Sequence, residues 1–167
     1  MDPTRRFSGR VENYARHRPG YPSEVLDLLR QRCGLAEGAG IADVGSGTGA
    51  LARPFLENGN RVFGVEPNEE MRLAGERILH RYGRFASVAA RAEETTLPDG
   101  AVDFVVAGQA FHWFDPAPTR GEFVRILKPG GVVALIWTTR RKRGEPFLAG
   151  YEQLLRSHGT EYREVYH

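Results

Sequence analysis

The chain has 167 residues, 41% of them hydrophobic and 26% charged, with a formal net charge of +2. That length suits one domain with a real core, and so small a charge makes no case for a nucleic-acid partner. A membrane span, a secretory leader, an internal disulfide and a thiol-based zinc site are all disfavoured. No apolar run reaches bilayer length, the basic start MDPTRRFSGR has no apolar segment behind it, and Cys33 is the only cysteine.

Residues 1–22 are polar and arginine-rich, with Phe7, Tyr14 and Tyr21 interspersed, and are expected to form an arm or lid. A short helix over Val11–His17 would be stopped by Pro19-Gly20. From residue 23 to the end the pattern is that of one domain. Ser23 has the chemistry of an N-cap for a helix with Val25, Leu26, Leu28 and Leu29 on its apolar face, ended by Gly34. Strand Ile41–Val44, loop Gly45–Gly49, helix Ala50–Glu57 and strand Arg61–Glu66 follow, then helix Glu69–Arg81 and a weaker strand, Phe85–Ala89. Val102–Ala107 and Val132–Thr138 are predicted as strands buried on both faces, separated by helix Pro116–Leu127. Pro146–His158 is the last predicted helix, and the basic run Arg140-Arg141-Lys142-Arg143 before it is expected to be a solvated loop. This alternation predicts an α/β fold with a mainly parallel, five-stranded sheet.

Asp43-Val44-Gly45-Ser46-Gly47-Thr48-Gly49 follows a strand and opens a helix. Glycines there let the backbone turn sharply and let a ligand approach where a Cβ would obstruct it, beside the unpaired N–H groups of a helix start. Glu66, at the end of the next strand, is placed to accept both hydroxyls of a ribose, although it could instead cap the helix that follows. With Ala50 in the third glycine position the loop also fits a dinucleotide fingerprint. Asp43 argues against that reading, because a diphosphate would meet a carboxylate beside the loop, whereas the ammonium of an amino acid tail would be attracted. S-adenosylmethionine has such a tail and no phosphate. Asp43 could also serve by hydrogen-bonding loop amides.

These residues, together with Val65-Glu66-Pro67-Asn68 and Met71, Ala92-Glu93 with Leu97-Pro98, the string DFVVAGQAFHWFD over Asp103–Asp115, and Leu127-Lys128-Pro129-Gly130-Gly131, resemble a class I S-adenosylmethionine-dependent methyltransferase of the methyltransferase-11 type. AGQAFHWFD and the N-terminal YARHRPGYP are similar to the trans-aconitate methyltransferase-like subgroup. The resemblance implies a Rossmann-like three-layer α/β/α sandwich and S-adenosylmethionine as cofactor, with S-adenosylhomocysteine as product. Members generally continue beyond the last helix seen here into an antiparallel pair of strands, so this chain resembles a C-terminally truncated one.

The resemblance also implies a set of site residues. Asp43, Gly45, Ser46 and Gly47 would face the cofactor, Glu66 its ribose, and Pro67 and Met71 its adenine. Ala92 and Glu93 would read the adenine edge through a backbone N–H and a carboxylate, unless Glu93 is simply solvated. Gln109 and Ala110 would underlie the methionine part, and Tyr14 and Arg18 would close over it, unless that arm stays free. Tyr21, His112, Trp113 and Phe114 would line the acceptor pocket. His112 could act as general base, or be a packed, hydrogen-bonded residue. The expected acceptor is a small molecule; a carboxylate, the class to which the aconitate-like resemblance points, would need no base. A non-catalytic cofactor-binding protein on the same fold is the alternative. No metal, no nucleic acid and no membrane partner is expected; a monomer or homodimer in the cytoplasm is.

Overall fold

The computed structural model describes residues 20–139 and 144–159. The predicted helix at Val11–His17, Tyr14, Arg18 and the basic run at 140–143 lie outside the described residues. The elements are α1 (Glu24–Cys33), β1 (Gly40–Val44), α2 (Ala52–Glu57), β2 (Arg61–Val65), α3 (Glu69–Leu79), β3 (Phe85–Val88), β4 (Val102–Gly108), a 3-10 turn (Phe111–Trp113), α4 (Pro116–Ile126), β5 (Leu127–Ile136) and α5 (Pro146–His158). They fall into two compact units, one ending at Trp137 and one beginning at Thr138. In the second unit α5 pairs Arg156 with Glu152 at 3.1 Å and stacks Phe147 on Tyr151.

The first unit is built on a sheet of strand order β3-β2-β1-β4-β5, and every pairing between these strands is parallel. Apolar clusters lie on its two faces. Leu26 and Leu29 of α1, Phe55 and Leu56 of α2 and Leu79 of α3 cover Ile41, Val62, Phe104 and Val106. Phe123 and Ile126 of α4, with Ala90, Ala92 and Leu97 from the β3–β4 connection, cover Ala42, Val44, Val65 and Val105. Alternate residues of one strand thus feed opposite layers, the arrangement of an α/β/α sandwich.

Local details depart from the sequence reading for identifiable reasons. Ser23 has helical dihedrals and makes no cap; its hydroxyl donates to Glu24 at 3.4 Å instead. Leu28, Leu73 and Ile78 face outward, at 56%, 39% and 43% exposure, because the helices pack through a narrower stripe than their apolar residues span. Cys33 is half-buried against the core. Strand β5 begins at Leu127 rather than Val132, with an irregularity between its pairings Val102↔Leu127 and Phe104↔Val132. The Lys128-Pro129-Gly130-Gly131 stretch fills that irregularity, with Gly130 in the left-handed region at φ +79°. A Cβ on Gly131 would come within 2.7 Å of Leu127 and 3.0 Å of the Asp103 carbonyl. Lys128 closes the arrangement by pairing with Asp103 at 2.9 Å, and Asp103 also accepts the Gly40 N–H at 2.7 Å. Nor is β5 buried on both faces. It forms one edge of the sheet, with Val133, Leu135 and Trp137 about two-fifths exposed.

Candidate functional site

The carboxyl ends of β1, β2 and β4 converge on the glycine loop, the usual place for a ligand in a parallel α/β sheet. Gly45, Gly47 and Gly49 all have positive φ, at +70°, +55° and +82°. The N–H groups of Gly45 and Ser46 both donate to the Val65 carbonyl, at 2.9 and 3.1 Å, which ties the loop to β2. Space is as demanding as conformation. A side chain at Gly45 would strike the Ala110 methyl at 2.6 Å and the Phe114 ring at 3.2 Å, and one at Gly47 would meet the Met71 methyl at 3.3 Å. Gly75 of α3 contributes from the other side, because a Cβ there would lie 3.2 Å from the Gly47 carbonyl oxygen.

Glu66 is the best-defined polar group in this region. It is 8% exposed. One carboxylate oxygen accepts the Gly47 N–H at 2.8 Å and the other accepts the Asn68 N–H at 2.8 Å. A carboxylate has about four lone-pair sites, so each oxygen keeps one for a further donor. Burial pushes the Glu66 carboxyl above its ordinary pKa, while the two N–H groups and the Arg72 guanidinium work in the opposite direction. Helix capping falls instead to Asn68, whose side chain accepts the Met71 N–H at 3.0 Å. Asp43, the last residue but one of β1, is 1% exposed, and Pro67 is exposed.

The Ala92-Glu93 segment is packed and hydrogen-bonded. Ala92 is buried in the apolar cluster shared with Phe111 and Phe114. The Glu93 carboxylate accepts the Asp115 N–H at 2.9 Å through one oxygen and faces Arg91 at 3.3 Å through the other. Partial burial opposes its ionisation, but these partners and its own N–H outweigh it and hold the carboxyl below its usual range. Its side chain is therefore engaged with Asp115, the N-cap of α4, and with Arg91.

The connection carrying these residues is pinned further along. Thr95 donates to Glu122 twice: by its N–H at 2.7 Å, and by its hydroxyl at 2.5 Å. Arg125, itself paired with Asp99 at 2.6 Å, holds the Glu122 carboxyl down to a pKa of about 2, with the two Thr95 bonds adding to the effect against a cost from burial. Arg72 and Glu122 do not stand out in the sequence, and Asn68 and Asp115 enter there only as parts of the resembling motifs, without their capping roles. Asn68 could have been found by its cap position three residues before Met71. Glu122 and Thr95 are 27 positions apart and leave no local signal.

After β4 the backbone of Gln109 enters the left-handed region at φ +56°, rare for a residue with a side chain, while its N–H donates to the Ile136 carbonyl at 2.9 Å. The turn that follows brings together four half-buried rings. Phe111 and Phe114 meet edge-on at 5.8 Å between centroids, Phe114 meets Phe123 likewise at 6.4 Å, and His112 and Trp113 lie 4.6 Å apart. Tyr21 joins from the N-terminal side: a Cβ at Gly108 would fall 2.8 Å from its ring and 3.0 Å from Leu51. Thus Gly45, Ala110 and Phe114 form one contact region, Gly47, Glu66 and Met71 a second, and Tyr21 with Gly108 a third, all around the carboxyl ends of the strands. No cluster of metal-ligating side chains occurs among the described residues, and among them no helix is long and apolar enough to cross a membrane.

Comparison with known proteins agrees with this geometry. Residues 42–135, more than half of the chain, match the model of the family described as "Methyltransferase domain". An uncharacterized methyltransferase of Mycobacterium tuberculosis is 38% identical, over 82% of this chain and 54% of its own length. One from Schizosaccharomyces pombe is 32% identical, over 90% of this chain and 59% of its own. The chain thus spans a little over half the length of these relatives. A candidate type II methyltransferase from Anaeromyxobacter dehalogenans superposes with a TM-score of 0.68 at 32% identity, covering 83% of this chain and 56% of that one. A SAM-dependent methyltransferase from Aquifex aeolicus shares the fold at a TM-score of 0.63 and 23% identity, over 95% of this chain and 83% of that one. By its glycine loop, its sheet and its match across the central strands, the chain belongs to the methyltransferase domain family.

Proposed function

We propose that the protein transfers a methyl group from S-adenosylmethionine to a small-molecule acceptor, with a carboxylate as the preferred acceptor class. The observation that carries the cofactor reading is Glu66: buried, fixed by one N–H on each oxygen, and left with one lone pair on each for the two hydroxyls of a ribose. The bound cofactor supplies an already activated methyl group on a sulfonium. The protein's part is therefore to hold, orient and keep dry. Glu66 fixes the ribose, the Gly45–Gly49 backbone gives close approach, and Asp43 near the end of β1 supplies negative charge for an ammonium. Aromatic faces at Phe111, Trp113 and Phe114 exclude water and favour a sulfonium cation.

A carboxylate acceptor is favoured because it attacks through a lone pair it already has, so no proton need be removed. The aromatic string Ala107–Asp115, close to that of the trans-aconitate methyltransferase-like subgroup, points to the same class. His112 stands on the turn where a general base would serve if the acceptor were a hydroxyl. We read the protein as a cytoplasmic monomer or homodimer without a nucleic-acid or membrane partner.

Calorimetric titration with S-adenosylhomocysteine, with NAD in parallel, tests the cofactor reading. Micromolar binding of the first alone supports it; binding of NAD alone overturns it. Ester formation on a panel of carboxylic acids tests the acceptor class. His112→Ala is expected to leave turnover on such an acceptor within a few-fold, and a collapse of kcat alone would assign His112 as a base.

A further inference from the structure

The segment expected to read adenine and the segment expected to face the acceptor are joined by one hydrogen bond. Glu93 lies just beyond the end of β3 and its carboxylate accepts the N–H of Asp115 at 2.9 Å. Asp115 is the N-cap of α4 and stands two residues after Trp113, the last residue of the 3-10 turn. The two segments also share an apolar contact region, since Ala92 belongs to the cluster against which Phe111 and Phe114 pack. Phe114 in turn rests over Gly45 and against Phe123. The turn carrying His112 and Trp113 is therefore held between the glycine loop, α4 and the β3–β4 connection. Glu93 supplies its charge-assisted tie to the last of these.

We propose that Glu93 is a positioning residue that links the adenosyl end of the cleft to the aromatic turn, so that filling the adenosyl end resets His112 and Trp113. The proposal rests on the cofactor reading above and adds a route from cofactor to acceptor pocket. A ligand that orders the Ala92-Glu93 backbone fixes the carboxylate, and through it the N–H of Asp115, the N-cap of α4, and the turn anchored there. Acceptor-side groups then take their working arrangement only when the cofactor is in place.

The test uses the whole chain with Trp137→Phe, which leaves Trp113 as the only tryptophan. The probe is 5′-methylthioadenosine, which has the adenosyl part and no amino acid tail to touch the turn directly. Its affinity is read by calorimetry and the state of the turn by Trp113 emission. Saturating probe is expected to change Trp113 emission. The bond is then removed from each side. Glu93→Ala deletes the acceptor. Asp115→Pro deletes the donor, at a backbone φ of −77° that proline tolerates. Both should lose the emission change while the folded proteins still take up the probe. Two controls should keep it: Glu93→Gln, which retains an acceptor oxygen, and Asp115→Ala, which loses the cap but retains the N–H. A persisting response in Asp115→Pro, or its loss in Asp115→Ala, overturns the link. Loss of probe binding in Glu93→Ala but not in Asp115→Pro also overturns it, since Glu93 would then be a ligand contact. Probe binding to the starting protein with no emission change refutes the coupling alone. No binding of probe or S-adenosylhomocysteine by folded protein refutes the cofactor reading, and this proposal with it.

Discussion

At the residue scale, Glu66 combines burial with a charge that its ligand needs. Burial raises its pKa, and Arg72, pairing with Glu76 at 2.9 Å, is the charged side chain that opposes the rise. Ribose hydroxyls donate to the ionised carboxylate, so affinity for S-adenosylhomocysteine is expected to fall as pH drops through the Glu66 pKa. Arg72→Met removes the opposing cation and should move that fall to higher pH, whereas Arg72→Lys should largely restore it; titration at a series of pH values checks both. For the protein without ligand the sign is reversed. A folded pKa above the unfolded one means that the stability contributed by protonated Glu66 is present at low pH and lost as pH rises through the folded value. Glu66→Gln keeps the shape but leaves a single acceptor oxygen, so its NH2 faces one of the two N–H donors and cannot accept from a ribose hydroxyl. It is expected to cost about 1.5–3 kcal/mol of cofactor affinity, roughly 10- to 150-fold in Kd.

At the element scale, the β3–β4 connection replaces a crossover helix with irregular chain, and Glu122 of α4 is what holds it. Thr96 adopts φ +62° there, a strained conformation for a β-branched residue, next to the doubly bonded Thr95. Glu122→Ala leaves the Thr95 donors and Arg125 without their shared acceptor. A loss of about 2–3 kcal/mol is expected, or roughly 5–10 °C in Tm. The sign with pH is opposite to that of Glu66. The Glu122 carboxyl falls from its ordinary 4.5 to about 2, so its contribution is present above 4.5 and lost as pH falls toward 2. Acid unfolding of Glu122→Ala should therefore show a shallower dependence across that window. An unchanged dependence would remove Glu122 as the strut.

At the scale of the whole molecule, the described sheet carries helices on its faces and has β5 as one of its two edge strands. Val133 and Leu135 occupy alternate positions on this edge strand of the described sheet, and Trp137 follows just beyond its end. Such an edge promotes pairing with another chain. Concentration-dependent association of this polypeptide is expected in sedimentation velocity, and Leu135→Lys should reduce it without lowering Tm appreciably. If the Leu135→Lys protein associates as strongly, the contact lies elsewhere.

The amino-acid sequence by itself determined the order and type of the elements, the parallel sheet and the position of the glycine loop. Those features depend on local periodicity and on residues with special backbone freedom, such as Gly45 with its φ of +70°. It also marked Glu66 as the acid beside the loop, because a carboxylate at the end of the second strand is a local pattern. The tertiary structure alone decided what each carboxylate touches. Glu93 and Asp115 are 22 positions apart, and Thr95 and Glu122 are 27 apart, yet each pair shares a hydrogen bond. It likewise decided that Asn68 and not Glu66 caps α3, that Gly75 packs tightly against the Gly47 carbonyl, and that β5 is an edge. Those outcomes depend on which surfaces meet across the sheet, and pairwise contact between distant segments leaves no period or spacing in the chain to read.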